Sequence, residues 1–265
     1  MSEAAAQPLS VNREPPLAWV TINRPAAHNA LNAAVWAGLA SATEQLAADA
    51  EIRVIILRGA GERAFISGAD ISEFRALRAD AQAAADYERL SGRAWIAIGH
   101  ASKPVIAMIN GLCFGGGVAV ALACDLRFAA DHARFAVPAT RLGLSYPMES
   151  IERLVHVVGL GAATDILLSA RTLDAAEALR VHLVNRVVPA AELEATTRAY
   201  ALGMAEGAPL TLAAHKLALR ESLRPASERD VDALQEAVRR CFDSADYQEG
   251  IAAFLEKRKA RFRGR

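Results

Sequence analysis

The sequence predicts an α/β fold that continues into a helical C-terminal region, and two observations support this prediction. In the first half of the chain, short apolar runs rich in Val and Ile alternate with stretches of helical periodicity, as in a largely buried sheet flanked by helices. Beyond about residue 148 the pattern is almost wholly helical. With 265 residues, of which 53% are hydrophobic and 23% charged, the chain can bury a large core, and we expect one extended domain.

Each predicted element follows from a local pattern. Strands are predicted where apolar residues run together between polar or turn residues, at 17–22, 54–57, 105–109, 126–129 and 135–137. Two helices are predicted between these strands, at 33–48 and 81–98. In the second half, helical periods recur at 169–181, 190–206, 210–223, 228–244 and 247–258, with breaks at Gly159, Gly161, Pro189, Pro209 and Pro225.

Charge and residue content argue against several classes of protein. The 30 basic and 30 acidic residues balance, so neither nucleic acid nor an anionic membrane is expected as the main partner. Neither the three cysteines (Cys113, Cys124 and Cys241) nor the six histidines show a paired ligand spacing, so no metal is predicted. The first residues lack a targeting pattern, and no apolar run approaches the roughly 18 residues of a membrane span. We therefore expect a cytoplasmic protein.

Two glycine loops are the strongest candidates for a functional site. The first spans residues 64–70 and the second spans 110–117, and each follows an apolar, strand-like run. Loops of this kind can aim backbone N–H groups at one anionic atom, and the second opens directly into a helical segment whose dipole adds to the effect. For either loop alone, a tight turn with close packing is the alternative. The glycines fit neither the dinucleotide fingerprint nor a phosphate loop.

Six motifs occur in order along the chain. They are Ile22-Asn23-Arg24-Pro25, His28-Asn29-Ala30-Leu31-Asn32, Ser67-Gly68-Ala69-Asp70, Pro104-Val105-Ile106-Ala107, Asn110-Gly111 with Gly115-Gly116-Gly117, and Phe254-Leu255-Glu256-Lys257-Arg258. From about residue 17 to residue 262 the chain therefore resembles the crotonase family, also called the enoyl-CoA hydratase/isomerase family. The resemblance implies a spiral of stacked strand–strand–helix (ββα) units over residues 1–195. It also implies a helical oligomerisation region over 196–265 that builds a homotrimer or a dimer of trimers.

The same resemblance implies acyl-coenzyme A (acyl-CoA) thioester ligands, no other cofactor, and an oxyanion hole formed by the backbone N–H groups of Ala69 and Gly116. A thioester carbonyl gathers negative charge on oxygen when a proton leaves its α carbon. Two preorganised donors stabilise that charge, and removal of one such donor typically costs about 2.7–4 kcal/mol.

Coenzyme A contacts are implied at three places in the chain. Ala26, Ala27 and His28 match the family segment whose backbone lies along the nucleotide, with Ala26 where many members have lysine. Asp70, Ile71 and Ser72 match the groove near the pantetheine arm. Phe254 and Lys257 match residues that reach the nucleotide, often that of a neighbouring subunit. For the basic residues beyond Arg258, the alternative of a solvated tail is preferred.

The carboxylates that hydratases of this family use are absent. Those enzymes carry one glutamate two residues after the glycine triplet and a second just after a later proline, where this chain has Ala119 and Ala139. General acid–base catalysis typically contributes about 10²–10⁴-fold. We therefore expect neither plain enoyl-CoA hydration nor single-glutamate isomerisation from these positions.

Two other side chains are candidates for the acid–base role. Tyr146 matches a tyrosine of a decarboxylating branch of the family, although that branch has histidine where this chain has Ala69. Glu149 is the second candidate, and its alternative is a first-turn acid beside a helix dipole. Cys113, between Leu112 and Phe114, is more typical of a buried packing residue. Two functions stay open: an acyl-CoA enzyme that performs decarboxylation, isomerisation or carbon–carbon cleavage, or a catalytically weak acyl-CoA-binding protein.

Overall fold

A computed structural model describes residues 7–73 and 81–265. The strands in these ranges are β1 (Leu9–Glu14), β2 (Leu17–Ile22), β3 (Val54–Gly59), β4 (Ala64–Ile66), β5 (Val105–Ile109), β6 (Leu112–Phe114), β7 (Leu126–Ala130), β8 (Arg134–Ala136), β9 (Leu173–Asp174) and β10 (Arg186–Val188). The α-helices are α1 (Ala33–Ala48), α2 (Ala81–His100), α3 (Gly116–Ala123), α4 (Ala139–Leu142), α5 (Met148–Ser169), α6 (Ala175–Arg180), α7 (Leu193–Ala205), α8 (Pro209–Ser222), α9 (Val231–Phe242) and α10 (Ala245–Leu255).

The strands form a large sheet and a small one. The large sheet has the order β1-β2-β3-β5-β7-β10 and is parallel except for the β1–β2 pair. The small sheet has the order β4-β6-β8-β9 and is parallel except for β8–β9. Three successive strand pairs, β3–β4, β5–β6 and β7–β8, each place one strand in the large sheet and the next in the small one, and each is followed by a helix. This repeat is the ββα spiral, so the predicted fold class is confirmed.

The large sheet is buried on both faces, which explains its continuous apolar strands. Alternate residues face opposite cores: Val20 and Ile55 belong to the main core, whereas Trp19 and Ile56 belong to a second one. Helix α7 covers the second face and contributes Ala201 to it. The main core lies between the two sheets and the helices α1, α2, α3 and α5.

The predicted helix at 169–181 is wrong in its first part. Helix α5 ends at Ser169, and Leu173–Asp174 form strand β9, which pairs with β8. Helix α6 starts only at Ala175, because the Asp174 side chain accepts a hydrogen bond from the Glu177 N–H and caps it there. Gly159, predicted as a break, has a non-helical conformation with φ 76° inside α5.

Helices α8, α9 and α10 form a further helical layer. Helix α8 packs on α9, and the Lys216 ammonium of α8 donates to the Lys103 carbonyl and pairs with Asp125 at 2.7 Å. The predicted boundary at residue 195 falls within α7, and the division into 1–195 and 196–265 stays a prediction. In the described ranges, no helix combines the length and the apolar character that crossing a lipid bilayer requires.

Candidate active site

Asn29 anchors the first wall of the candidate site, the turn that follows strand β2. This buried residue has φ 57°, a left-handed conformation that asparagine tolerates better than most residues. Its side-chain oxygen accepts from the Arg24 N–H at 3.0 Å, and its amide donates to the carbonyls of Ala60 and Ala64 at 3.0 and 2.7 Å. The turn is thereby fixed against the loop between β3 and β4.

A two-residue bridge then orients the first glycine loop. The Leu31 N–H donates to the Gly68 carbonyl at 2.8 Å, and the Asp70 N–H donates to the Leu31 carbonyl at 2.9 Å. Because residues 68 and 70 pair with Leu31, the N–H of the intervening Ala69 points the opposite way. In the described part of the chain, that N–H donates no hydrogen bond.

The second glycine loop supplies another backbone donor at the start of helix α3. Gly115 precedes the helix with φ 52°, and the N–H of Gly116, the first helical residue, has no acceptor within the described ranges. A Cβ atom built on Gly116 would lie 3.8 Å from the Ala69 nitrogen. The N–H groups of Ala69 and Gly116, the amide pair, therefore lie side by side although 47 residues separate them. Helix α3 contributes the positive end of its dipole there.

Tight packing between α3 and β4 holds the two loops together. A Cβ atom on Gly117 would lie 2.5 Å from the Ile66 carbonyl oxygen, so only glycine allows this approach. At the other end of α3, the buried Arg127 guanidinium donates to the carbonyls of Cys124 and Leu183 at 3.0 and 2.8 Å. A cation at this end also complements the helix dipole.

Aromatic side chains pack against the second glycine loop. The Trp36 ring lies 3.6 Å from the position of a Cβ atom on Gly116, and its indole N–H donates to the Tyr87 hydroxyl at 2.9 Å. Trp95 meets Trp36 edge to face, with ring centroids 6.0 Å apart. Trp36 thus shields the amide pair from one side.

Both candidate acid–base residues lie beside Ala119. The Tyr146 hydroxyl lies 3.2 Å from the position of a Cβ atom on Gly115, and Tyr146, Gly115 and Ala119 line a cavity of about 20 Å³. Ala119 also lines a larger cavity of about 590 Å³, together with Glu149 in the first turn of α5. Ala139, by contrast, is buried at the start of α4 and lines neither cavity. The structure therefore brings Tyr146, Glu149 and Ala119 together and sets Ala139 apart.

The residues matched to coenzyme A contacts fall into two separate regions. Ala26 and Ala27 form a short 3₁₀ turn that His28 closes with φ 49°, and Ala26, His28, Ile71 and Ser72 are exposed. The Ser72 hydroxyl, at 2.6 Å, and the Arg24 guanidinium, at 2.8 Å, hold the pKa of the Asp70 carboxyl below its ordinary value. Phe254 and Lys257 lie elsewhere: Phe254 is 84% exposed and lines a groove on α8–α10 that includes none of the loop residues.

Sequence reasoning did not identify the anchoring roles of several residues. Arg24, Asn29, Trp36 and Arg127 hold or cover the two loops, and the Glu73 carboxylate caps helix α1 by accepting from the Ala33 N–H at 3.0 Å. The motifs that contain Arg24 and Asn29 indicated that these residues matter. Their hydrogen-bond partners could not be identified from the sequence, because they lie up to 46 residues away in the chain.

Neither metal binding nor thiol chemistry is indicated at the site. Across residues 7–73 and 81–265, no group of three or more His, Cys, Asp or Glu side chains could hold a metal ion. Burial raises the pKa of the Cys113 thiol and raises that of Cys124 to about 12, so both are protonated near neutral pH. Both thiols act as packing groups.

Comparisons with known proteins agree with this geometry. A family model described as enoyl-CoA hydratase/isomerase matches residues 12–265. The chain is 34% identical to a short-chain-enoyl-CoA hydratase of Clostridium acetobutylicum over 94% of this chain and 95% of that protein. It is also 34% identical to a 2,3-dehydroadipyl-CoA hydratase of Escherichia coli, over 97% and 99%. A crystal structure of an enoyl-CoA hydratase/carnithine racemase from Magnetospirillum magneticum superposes with a TM-score of 0.92 at 40% identity, covering 98% and 97% of the two chains.

Proposed function

The chain belongs to the enoyl-CoA hydratase/isomerase family, and from this premise we propose that it binds acyl-CoA thioesters and stabilises their enolate form in a reaction other than plain hydration. The observation that carries the proposal is the amide pair: two adjacent backbone N–H groups, each without an acceptor in the described part of the chain. A thioester oxygen placed between them accepts two hydrogen bonds that strengthen as negative charge develops.

The groups around the amide pair argue against plain hydration. Hydration needs a base that removes a proton from water beside the double bond, and methyl groups occupy positions 119 and 139. Tyr146 and Glu149 each line a cavity together with Ala119 and are our candidates to move a proton. We assign Tyr146 the first role, because its hydroxyl lies beside Gly115, next to the amide pair. Decarboxylation, isomerisation and carbon–carbon cleavage all pass through a thioester enolate.

Coenzyme A binding is proposed across two subunits. The turn at Ala26, Ala27 and His28 would lie along the nucleotide, and Asp70, Ile71 and Ser72 would border the pantetheine arm. Phe254 and Lys257 lie apart from these residues in one chain, which fits a role toward the nucleotide of a neighbouring subunit.

We propose a homotrimer or a dimer of trimers, built through α8–α10. The groove on these helices has a volume of about 600 Å³, and the side chains of Phe254 and Leu255 beside it are 84% and 73% exposed. Apolar surface of this extent marks an interaction site. Light scattering on Phe254→Ser should show a smaller species than the wild type. Leu168→Ser, which alters a residue of α5 that is 72% exposed, is the control. A monomeric wild type would refute the proposal.

The proposed activity is tested with a panel of enoyl-, hydroxyacyl- and malonyl-type CoA thioesters. Binding is measured by calorimetry, and turnover by mass spectrometry. Crotonyl-CoA should bind, but its conjugated thioester absorbance should not decay measurably. Tyr146→Phe should abolish turnover of the thioester that reacts and leave its binding within about twofold. Tyr200→Phe, a half-exposed tyrosine of α7, is the control. Efficient hydration of crotonyl-CoA would refute the roles given to positions 119 and 139.

A catalytically weak acyl-CoA-binding protein is the second candidate function. The methyl groups at Ala119 and Ala139 favour this second function, because hydratases of the family have catalytic glutamates at these two positions. Micromolar binding of many thioesters with no turnover of any of them would establish this alternative.

A further inference from the structure

The cavity of about 590 Å³ beside Ala119 is lined by a cation, Arg153, that the proposed enolate chemistry does not use. It lies between helices α2, α3 and α5, and its volume is within the usual range for small-molecule sites. Ala119 also lines the small cavity that contains Gly115 and Tyr146. Gly115 directly precedes Gly116 of the amide pair, so an acyl chain that leaves the amide pair through the small cavity would reach the larger one past Ala119.

Arg153 is a partly buried cation in the lining of the cavity. Its guanidinium donates one long hydrogen bond, 3.3 Å, to the Leu122 carbonyl, and no carboxylate of the described residues lies within 4.0 Å of it. Burial lowers the pKa of Arg153, a sign that little water solvates its charge. An arginine carries five N–H donors, so most donors of Arg153 have no acceptor among the residues that the structure describes.

The packing around Arg153 holds the guanidinium in the cavity wall. Glu149 lies one helical turn before it on α5, a spacing that suits an ion pair, yet no such pair forms. The guanidinium lies instead against Gly99 of α2, where a Cβ atom would come within 3.1 Å of one guanidinium nitrogen. The nearest acids on the neighbouring elements are already engaged: Asp125 pairs with Lys216, and Glu221 pairs with Arg220 and Arg224.

The other polar side chains of the cavity are more exposed than Arg153. Glu88, Arg89, His100 and Glu149 line it and are all exposed, and Arg89 pairs with Asp86. Trp95 also lines the cavity, but its indole N–H is inaccessible to solvent, without an acceptor among the described residues, and so does not face the open space. Arg153 is thus the least exposed ionisable side chain in the lining.

We propose that this cavity binds the far end of an acyl chain that terminates in a carboxylate, so that the ligands are ω-carboxyacyl-CoA thioesters. The inference rests on the proposed acyl-CoA binding and narrows its substrate class. A carboxylate pairs with the Arg153 guanidinium through two parallel hydrogen bonds. Charge-assisted hydrogen bonds of this kind correspond to a preference of about 10- to 100-fold.

Calorimetric titration with matched thioesters tests the inference. Succinyl-, glutaryl-, adipyl- and suberyl-CoA are each compared with the methyl-ended acyl-CoA of the same chain length. At one length or more, the wild type should bind the carboxylate-ended thioester at least tenfold more tightly. Arg153→Gln should remove that preference while binding of the methyl-ended thioester persists. Arg89→Gln, which removes an exposed charge at the same cavity, is the control and should retain it.

Gly99→Ala gives an independent test that leaves Arg153 in place. Its new methyl group would come within 3.1 Å of the guanidinium, which must shift by a few tenths of an ångström, so the preference should fall. This variant supplies the measurement if Arg153→Gln fails to fold. Equal or tighter binding of every methyl-ended thioester by the wild type would overturn the inference and leave the proposed function intact. An unchanged preference in both Arg153→Gln and Gly99→Ala would also overturn it. Absence of binding by every thioester would refute the proposed function together with the inference.

Discussion

Replacing Gly117 with alanine tests whether the contact between α3 and β4 holds the amide pair in place. A Cβ atom at this position would lie 2.5 Å from the Ile66 carbonyl oxygen and 2.8 Å from the Ile66 Cβ atom. The oxygen belongs to the backbone of β4, so it cannot swing aside as a long side chain can. Ordinary contact begins near 3.4 Å, and the helix and the strand must therefore separate by about 0.9 Å.

The expected cost follows from two opposing effects. Overpacking of this kind destabilises by about 1–3 kcal/mol, and alanine regains about 0.5–1 kcal/mol through its better helix propensity. The free energy of unfolding should thus fall by about 0.5–2 kcal/mol. Ala69 follows Ile66 by three residues, so the separation also shifts its N–H relative to that of Gly116. A misplacement of about 1 Å can lower a catalytic rate by about 100-fold.

Urea denaturation and thioester turnover measure the two effects separately. Gly203→Ala in helix α7 is the matched control, because nothing lies within 4 Å of its Cβ position. This control should gain about 0.5–1 kcal/mol and keep full turnover. If Gly117→Ala were as stable as Gly203→Ala and equally active, the contact with Ile66 would not hold the amide pair.

Three further outcomes are expected. Asn29→Ala should lower the free energy of unfolding by about 3–5 kcal/mol in urea, since it removes three hydrogen bonds and places alanine at φ 57°. The exposed Asn12→Ala is its control, and a loss below about 1 kcal/mol would contradict the anchoring role of Asn29. Ala119→Glu should fold with nearly wild-type stability because its side chain enters the 590 Å³ cavity. The free energy of unfolding of Ala139→Glu should fall by at least about 2 kcal/mol, because this variant buries a carboxylate. Equal stabilities of the two variants would refute this difference. Arg258 and the Arg261 N–H lower the pKa of Glu249 to about 2 in the folded protein, from an ordinary 4.5. The contribution of Glu249 to stability is therefore complete above about pH 4.5 and is lost as the pH falls toward 2. Stability should therefore decline less steeply over this range in Glu249→Gln than in the wild type, and parallel acid denaturation curves would show that the pair contributes nothing.

The long elements were predictable because their patterns are local. Strands β2, β3, β5, β7 and β8 and helices α1 and α2 match periodic or apolar runs. Strands β4 and β6 were missed because each has only three residues and lies within one of the two glycine loops. Strand β9 has two residues and exists only through its pairing with β8, so an apolar stretch at 169–181 was assigned to a helix. Pairing of this kind leaves almost no local signal.

For the site, motif positions could be predicted but side-chain contacts could not. The glycine motifs locate Ala69 and Gly116, and their proximity depends on packing between α3 and β4. Ala139 lines neither cavity, and Arg153 has no carboxylate partner among the described residues; both facts depend on contacts between distant elements. Periodicity within one segment contains no information on such contacts.

The amide pair has a consequence for how this chain can evolve. Both donors belong to the main chain, and every amino acid except proline carries such an N–H. Mutation of the surrounding codons therefore alters the neighbouring side chains without deleting the donors, provided that the backbone at Gly68 and Gly115 keeps its conformation. Under the proposed function, heritable change in reactivity is then concentrated at positions such as 119, 146 and 149. The reacting side chains can therefore be exchanged during evolution while the two donors are retained at every step.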